Sequence, residues 1–386
     1  MVRKAVLLLL AVTLPAGVGA SGAAVLAPVP AAVDQAPVAL LVDLSAGQTL
    51  YSRNAGQRLL PASMTKAMTA LVAFDLIAAG QLDENAEVTI RPETAAQWAG
   101  QGTTLYLQPG QSVPVRDLLL GVTTVSANDA SVALAEAALG SVPAWTARMN
   151  RRAAQLGMRS SQFHTPNGWP DGGQTYVTAR DMVRLARALI QDHPQLYRRY
   201  FGKSGMDWRG QRFASHDPFA GVVAGADGIK TGHTREAGYN FLGAVERGGR
   251  RLVLVVGGVP TYAGRADAAR ALAEWGFAAW DSRPFVKAGQ IAGTARVQGG
   301  DARTVPLALA RPFSLTVPSG TQPRITTRIL YDGPIPAPFA KGAALGALEV
   351  RIDGQGVHYL PLVAAEAVGV AGPIDRLVNG LLGLME

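Results

Sequence analysis

The sequence contains no cysteine. That excludes a disulfide framework, a thiol nucleophile and a thiolate-bound zinc together. Its five histidines are scattered, and none forms His-Glu-x-x-His, so a zinc hydrolase has no motif to rest on. No metal or other cofactor is expected. Despite a formal net charge of +8, there is no clustered basic run and no basic–aromatic interleaving, so nucleic acid is not an expected partner. The charge reads as a surface bias compatible with anionic surroundings, such as lipid head groups or an acidic polymer. Lysine is also scarce. Of 36 Lys and Arg residues, Lys4, Lys66, Lys203, Lys230, Lys287 and Lys341 are the only lysines. Arginine keeps its proton under protein conditions, whereas a buried lysine can lose it.

At 386 residues the chain allows two or three domains, each with its own core. Residues 1–20 read as a secretion signal: Arg3 and Lys4, the apolar run Ala5 to Leu14, and the small-residue site Val18-Gly19-Ala20. That run is too short to span a bilayer. The mature chain is therefore expected to work outside the cytoplasm, in the periplasm or its equivalent. Residues 21–36 read as a leader.

A first domain is expected over 37–283. Val38 to Asn54 alternates about Ser45-Ala46-Gly47 as a hairpin, and Pro61 opens a helix running to about Ala79. Apolar stripes over Val115 to Leu120, Asp129 to Leu139, Pro143 to Leu156 and Ala179 to Ile190 predict helices, the last with a capping start at Thr178. The stretch His164 to Gly173 must be an irregular loop. Gly238 to Val245 and Arg251 to Val256 form a second hairpin, and Tyr262 to Trp280 a closing helix. The fold class is α/β, an antiparallel sheet flanked by helices with an inserted helical lobe. Residues 284–371 read as a separate all-β sandwich domain with no cluster of titratable groups, suited to spacing or docking. In 372–386, Ile374, Leu377, Val378, Leu381 and Met385 share one helical face. At 1.5 Å per residue the tail spans about 20 Å, too short to cross a membrane. It lies in a membrane interface, packs on the β domain or is simply frayed.

Three short motifs carry chemistry. Ser63 and Lys66 are three apart in Ser63-Met64-Thr65-Lys66 and share the first turn of an apolar helix, as a nucleophile and its base would. Taken alone, this is equally a capping serine and a surface lysine. Ser126-Ala127-Asn128 stands at a helix start, where capping is the plain reading. Lys230-Thr231-Gly232 leads into the second hairpin, where a lysine can simply guard a sheet edge. In this order, at these separations and on these elements, the three match the serine acyl-transferases that bind penicillin.

The chain resembles the low-molecular-mass penicillin-binding proteins, specifically the D-alanyl-D-alanine carboxypeptidase family of serine peptidases. The resemblance covers roughly Val38 to Val370. It is carried also by Asp227 to Thr234 with Ala237-Gly238-Tyr239-Asn240, and by Met149-Asn150 with Leu156-Gly157-Met158 ahead of the loop. Trp169 departs from it where an aliphatic residue is more usual, and the tail is shorter and less basic than family anchors. The resemblance implies a penicilloyl-serine transferase fold and hydrolysis of a wall stem peptide ending in D-Ala-D-Ala, with β-lactams as covalent inhibitors.

Ser63 would attack, Lys66 would take its proton, and Ser126 would relay one to the departing amine. Asn128 would bind the substrate amide, Lys230 and Thr231 would hold its terminal carboxylate, and Gly232 and His233 would complete the substrate-binding set. The oxyanion hole would be the backbone N–H groups of Ser63 and His233, the His233 side chain being structural. Arg209 and Arg212 are candidates for a further carboxylate clamp. Bringing a lysine pKa from ~10.4 towards 7 costs roughly 4 kcal/mol. Burial, the charge of Lys230 and the helix's positive end all push that way.

A class A β-lactamase shares the motifs but uses a glutamate on its water. None occurs from Ala137 to Arg235, and Asp171 is the only acid in Pro166 to Gly173. Efficient β-lactam turnover is therefore not expected. An endopeptidase on peptide cross-links and a non-catalytic wall-binding scaffold remain alternatives.

Overall fold

The computed structural model describes residues 26–353 and 356–373. The expected signal, at 1–20, and the face expected over 374–386 lie outside the described residues. The chain divides at Ala279/Trp280 into two compact units.

In the first unit, β1 (Val38–Asp43) and β2 (Gln48–Arg53) form the first hairpin. Every β1 side chain is buried, which marks it as a central strand. The chain then makes one 3₁₀ turn, Ala62–Thr65, before α1 (Lys66–Ala78). All residues of α1 from Lys66 to Phe74 are buried, because its apolar side chains run all round and helices cover it on several sides. β3 (Glu87–Thr89), α2 (Pro92–Trp98), β4 (Ser112–Pro114), α3 (Val115–Leu120), α4 (Asn128–Leu139), α5 (Val142–Gln155), α6 (Ala179–Asp192) and α7 (Pro194–Tyr200) build the helical lobe. Thr178 caps α6 by accepting the Asp181 N–H at 3.2 Å.

A short hairpin, β5 (Gly205–Trp208) and β6 (Gln211–Ala214), precedes β7 (Ala226–Thr234), β8 (Gly238–Arg247), β9 (Arg250–Val259) and α8 (Tyr262–Ala278). The central sheet is wholly antiparallel in the order β2-β1-β9-β8-β7, so β7 is an edge strand. One core joins the sheet to α1 and the lobe, with Leu40, Val42, Met68, Leu71, Phe74, Trp145, Leu189 and Val255 among its members.

The second unit is all β. β10 (Trp280–Val286) pairs with β13 (Phe313–Pro318). β11 (Ile291–Gln298), β12 (Thr304–Leu309), β14 (Ile325–Leu330), β15 (Ile335–Pro336), β16 (Ala344–Ile352) and β17 (Val357–Ala364) form a six-stranded sheet in the order β14-β16-β17-β12-β11-β15. Val305, Leu307, Leu315, Val317, Val350 and Leu362 fill its core. One expectation fails here, because titratable groups do gather. Glu349 pairs with Arg351 at 2.6 Å and is held below the usual carboxylate range, first by Arg351 and also by Arg328. The register puts Arg328 opposite Glu349, and Glu349 opposite Tyr359, so cross-strand pairing brings together residues far apart in sequence.

Candidate active site

Ser63 stands on the 3₁₀ turn and Lys66 opens α1, so the pair straddles the junction of two helix types. Lys66 is 1 % exposed. Its Nζ lies 2.9 Å from Ser63 Oγ, 2.7 Å from Asn128 Oδ1 and 2.8 Å from the Asn167 carbonyl oxygen. Asn128 Nδ2 donates to the Gln101 carbonyl at 2.9 Å, which fixes the amide with its oxygen towards Lys66. Burial holds the Lys66 pKa well below the ordinary lysine range, and the charge of Lys230 adds to this, against the opposing pull of Asp129.

Ser126 does not cap the start of α4, where Ala127 holds the N-cap position. It ends a π-helical turn, Gly121–Val125, in the left-handed conformation with φ 72°, and α4 begins two residues later. A non-glycine residue held there is strained, and the distortion re-aims the Ser126 side chain relative to a regular helix. Asn128 is the first residue of α4, while Asp129 below it accepts the N–H groups of Leu105 and Leu107 and fixes the segment that carries Gln101.

β7 passes directly against the Ser63 turn. A Cβ on Gly232 would lie 2.2 Å from the Pro61 carbonyl oxygen, so the close approach requires glycine. Lys230, although on an edge strand, is buried, and burial followed by Arg265 brings its pKa down to about 7, against the pull of Asp217. Its Nζ donates to the Thr231 carbonyl at 3.2 Å. The ring of exposed His233 stacks on Tyr239 with centroids 3.9 Å apart.

The loop expected over 164–173 is irregular and tied down from below. Asn150 brackets Phe163 with two hydrogen bonds, 2.7 and 2.9 Å, and Thr69 of α1 donates to the Pro166 carbonyl. Gly168 packs so closely that a Cβ would sit 1.8 Å from the Ala62 carbonyl oxygen. Trp169 meets Trp98 edge to face, centroids 5.5 Å apart. Thus an indole can stand where an aliphatic side chain is more usual.

These elements enclose a cavity of about 380 Å³. Ser63, Ser126, Asn128, Thr231, Gly232 and His233 all line it, and Lys66 is joined to it through Ser63 and Asn128. Arg209 and Arg212 do not. They belong to the β5–β6 hairpin: Arg209, at φ 51°, sits in its turn, and Arg212 pairs with Asp207 at 3.0 Å. The cation that lines the cavity instead is Arg265 of α8, 2 % exposed, its guanidinium over the rings of Tyr239 and Tyr262. Its Nε and Nη2 have no hydrogen-bond partner among the described residues. Beside it, His216 is held below the ordinary histidine range by burial and then by Lys230 and Arg265. An acyl transfer has its parts here: an alcohol, an amine poised to be neutral, and a positive corner for an anion.

Residues 26–261 match the family profile described as D-alanyl-D-alanine carboxypeptidase, which is more than half of the chain. The chain belongs to the D-alanyl-D-alanine carboxypeptidase family. Residues 280–370 match a second profile, the C-terminal domain of penicillin-binding protein 5. The carboxypeptidase DacA of Haemophilus influenzae is 34 % identical over 89 % of this chain and 88 % of its own length. DacA of Escherichia coli is 32 % identical over 88 % and 85 %. Penicillin-binding protein 5 from Haemophilus influenzae superposes with a TM-score of 0.79 at 33 % identity, over 87 % of this chain and 98 % of that one. Penicillin-binding protein D2 from Listeria monocytogenes, solved in an ampicillin-bound form, gives 0.55 at 28 % identity over 63 % and 98 %. With the penicillin-binding protein 5 fold, the expected α/β architecture and its all-β companion are present in this carboxypeptidase family member. Sequence reading missed Arg265 because it sits in the first turn of α8 between Gly264 and Ala266, far from any motif. The one available signal was an arginine on the buried stripe of Tyr262 to Trp280.

Proposed function

We propose that this chain is a serine D-alanyl-D-alanine carboxypeptidase that releases the terminal D-alanine from wall stem peptides through a Ser63 acyl-enzyme. The observation that carries the reading is the surroundings of Lys66 Nζ. Two of its three neighbours, Asn128 Oδ1 and the Asn167 carbonyl, can only accept, while the third is the Ser63 hydroxyl. A neutral amine has two N–H groups and one lone pair. Satisfying both acceptors leaves the lone pair facing the Ser63 O–H, as a general base requires.

Ser63 Oγ attacks the carbonyl between the two D-alanines as its proton passes to Lys66. The C–N bond breaks, the departing amine takes a proton through Ser126, and D-alanine leaves. Water then attacks the ester, again losing its proton to Lys66, and Ser63 recovers its own. Backbone N–H groups of Ser63 and His233 stabilise the oxyanion, a type of contact typically worth about 3 kcal/mol each. Asn128 holds the substrate amide. Lys230, Thr231 and, in place of Arg209 or Arg212, Arg265 hold the terminal carboxylate; the orphan guanidinium N–H groups support this.

Penicillin acylates Ser63 by the same route, and the adduct persists because, among the described residues, no glutamate lines the cavity to activate water. The signal-like amino-terminal sequence supports work outside the cytoplasm, and the spacing of Ile374, Leu377, Val378, Leu381 and Met385 in the sequence supports a peripheral membrane contact.

Mass spectrometry after incubation with a D-Ala-D-Ala pentapeptide, and separately with penicillin, tests the proposal. The expected results are a tetrapeptide product and a stoichiometric adduct on Ser63. An unmodified Ser63 with an intact pentapeptide overturns it.

A further inference from the structure

Two side chains of α1, one turn apart, reach consecutive carbonyls of the 164–173 loop. Lys66 Nζ lies 2.8 Å from the Asn167 carbonyl oxygen, and the Thr69 hydroxyl donates to the Pro166 carbonyl at 2.5 Å. All four residues are buried. A threonine O–H can rotate, but a third element fixes this one. Trp145 of α5 is fully buried, and its indole nitrogen, which can only donate, meets Thr69 Oγ1 at 3.4 Å. The Thr69 oxygen accepts from Trp145, which leaves its proton for Pro166. Among the described residues, the other hydrogen bonds of this segment are local, from the Gly168 N–H to Thr165 and from the Trp169 N–H to the Asn167 side chain.

Resting on the reading of Lys66 as general base, we infer that Thr69 is a positioning residue for that base. It anchors the Pro166 carbonyl, and through it the Asn167 carbonyl that turns the Lys66 lone pair towards Ser63. The peptide between the two carbonyls is planar, so only the φ and ψ of Asn167 separate the anchored oxygen from the one Lys66 contacts. The base gains and loses a proton in each turnover, and its own hydrogen bond to Asn167 changes strength with its charge. The bond from Thr69 involves no ionisable group. It holds the loop at one place on α1 in both states of Lys66, so the amine returns to the same orientation after each transfer. Misplacing a reacting group by about 1 Å can cost on the order of 100-fold in rate.

The test uses the full chain and compares Thr69→Ser with Thr69→Ala. Both lose the methyl group, and they differ from each other by the hydroxyl alone. Quenched samples analysed by mass spectrometry give the rate constant for acylation of Ser63 by penicillin, and steady-state assays give kcat and KM for D-alanine release from a D-Ala-D-Ala pentapeptide. The end point of acylation counts the folded molecules and the time course gives their rate, so partial misfolding leaves the comparison readable. Thr69→Ser is expected to acylate within about threefold of wild type, and Thr69→Ala about tenfold more slowly than Thr69→Ser. The loss should fall on kcat, with KM within about twofold of wild type, because Lys66 serves both half-reactions and Thr69 does not line the cavity. Equal rates in the two variants, or a loss confined to KM, overturn the positioning role alone. Should Thr69→Ala form no adduct, Trp145→Phe, which frees the hydroxyl to rotate, decides instead: about a threefold loss in kcat is expected, and a wild-type rate overturns the role. A wild type that neither takes up penicillin at Ser63 nor releases D-alanine overturns the acyl-enzyme reading and this inference with it.

Discussion

Replacing Lys230 by methionine should stabilise the fold while impairing its chemistry. Lys230 is 4 % exposed and its pKa falls from 10.5 to about 7, by burial first and by Arg265 second. The unfolded chain binds this proton more tightly than the folded one. Wild-type stability therefore rises with pH between about 7 and 10.5, and the penalty is fully present below that window and absent above it. At pH 7 the penalty amounts to about 4 kcal/mol. Methionine keeps most of the buried stem and loses one hydrogen bond, to the Thr231 carbonyl, worth about 1 kcal/mol. The net gain is about 3 kcal/mol at pH 7, or roughly 6–12 °C in Tm for a unit of this size. It should fade as pH approaches 10.5. Thermal unfolding of wild type and Lys230→Met at pH 7 and pH 10, with penicillin acylation rates alongside, measures both effects. A variant less stable at pH 7, or a gain of equal size at the two pH values, would refute the reasoning.

Two further outcomes follow from the site. Arg265→Ala should lower kcat/KM about 10- to 100-fold on peptides with a free terminal carboxylate, the cost of a lost charge-assisted contact; on the C-terminal amide, steady-state rates should show wild type and variant converging. Gly168→Ala should cost a few kcal/mol in urea denaturation and slow acylation, since φ +75° and a Cβ 1.8 Å from the Ala62 oxygen force the loop off the Ser63 turn.

Regular periodicity made most of the first unit legible. The Val38 hairpin, the helices at Ala179 and Tyr262 and the strands after Gly238 fall within a few residues of their predicted positions, because each carries its own apolar pattern. The three short motifs were legible as candidates because spacing on a defined element constrains them. What escaped was set by tertiary contact. The 3₁₀ turn under Ser63 has β7 and the 164–173 loop pressed against it, as the close backbone approaches at Gly232 and Gly168 record. The left-handed Ser126 follows from a π-helical turn that no local pattern announces. The β5–β6 hairpin turned Arg209 and Arg212 away from the site, and Arg265 reached it from a helix more than thirty residues beyond the last motif. Short strands such as β11 and β12 were missed because their half-exposed faces blur the alternation.

The central claim, that Lys66 stands neutral beside Ser63, can be read directly by NMR. With only six lysines in the chain, ¹³Cε-labelled lysine gives few enough signals to assign by single Lys→Arg replacements. The Lys66 signal should titrate well below 10.5, and Lys230 near 7. A Lys66 signal titrating at ~10.4, as in a free peptide, would contradict the account.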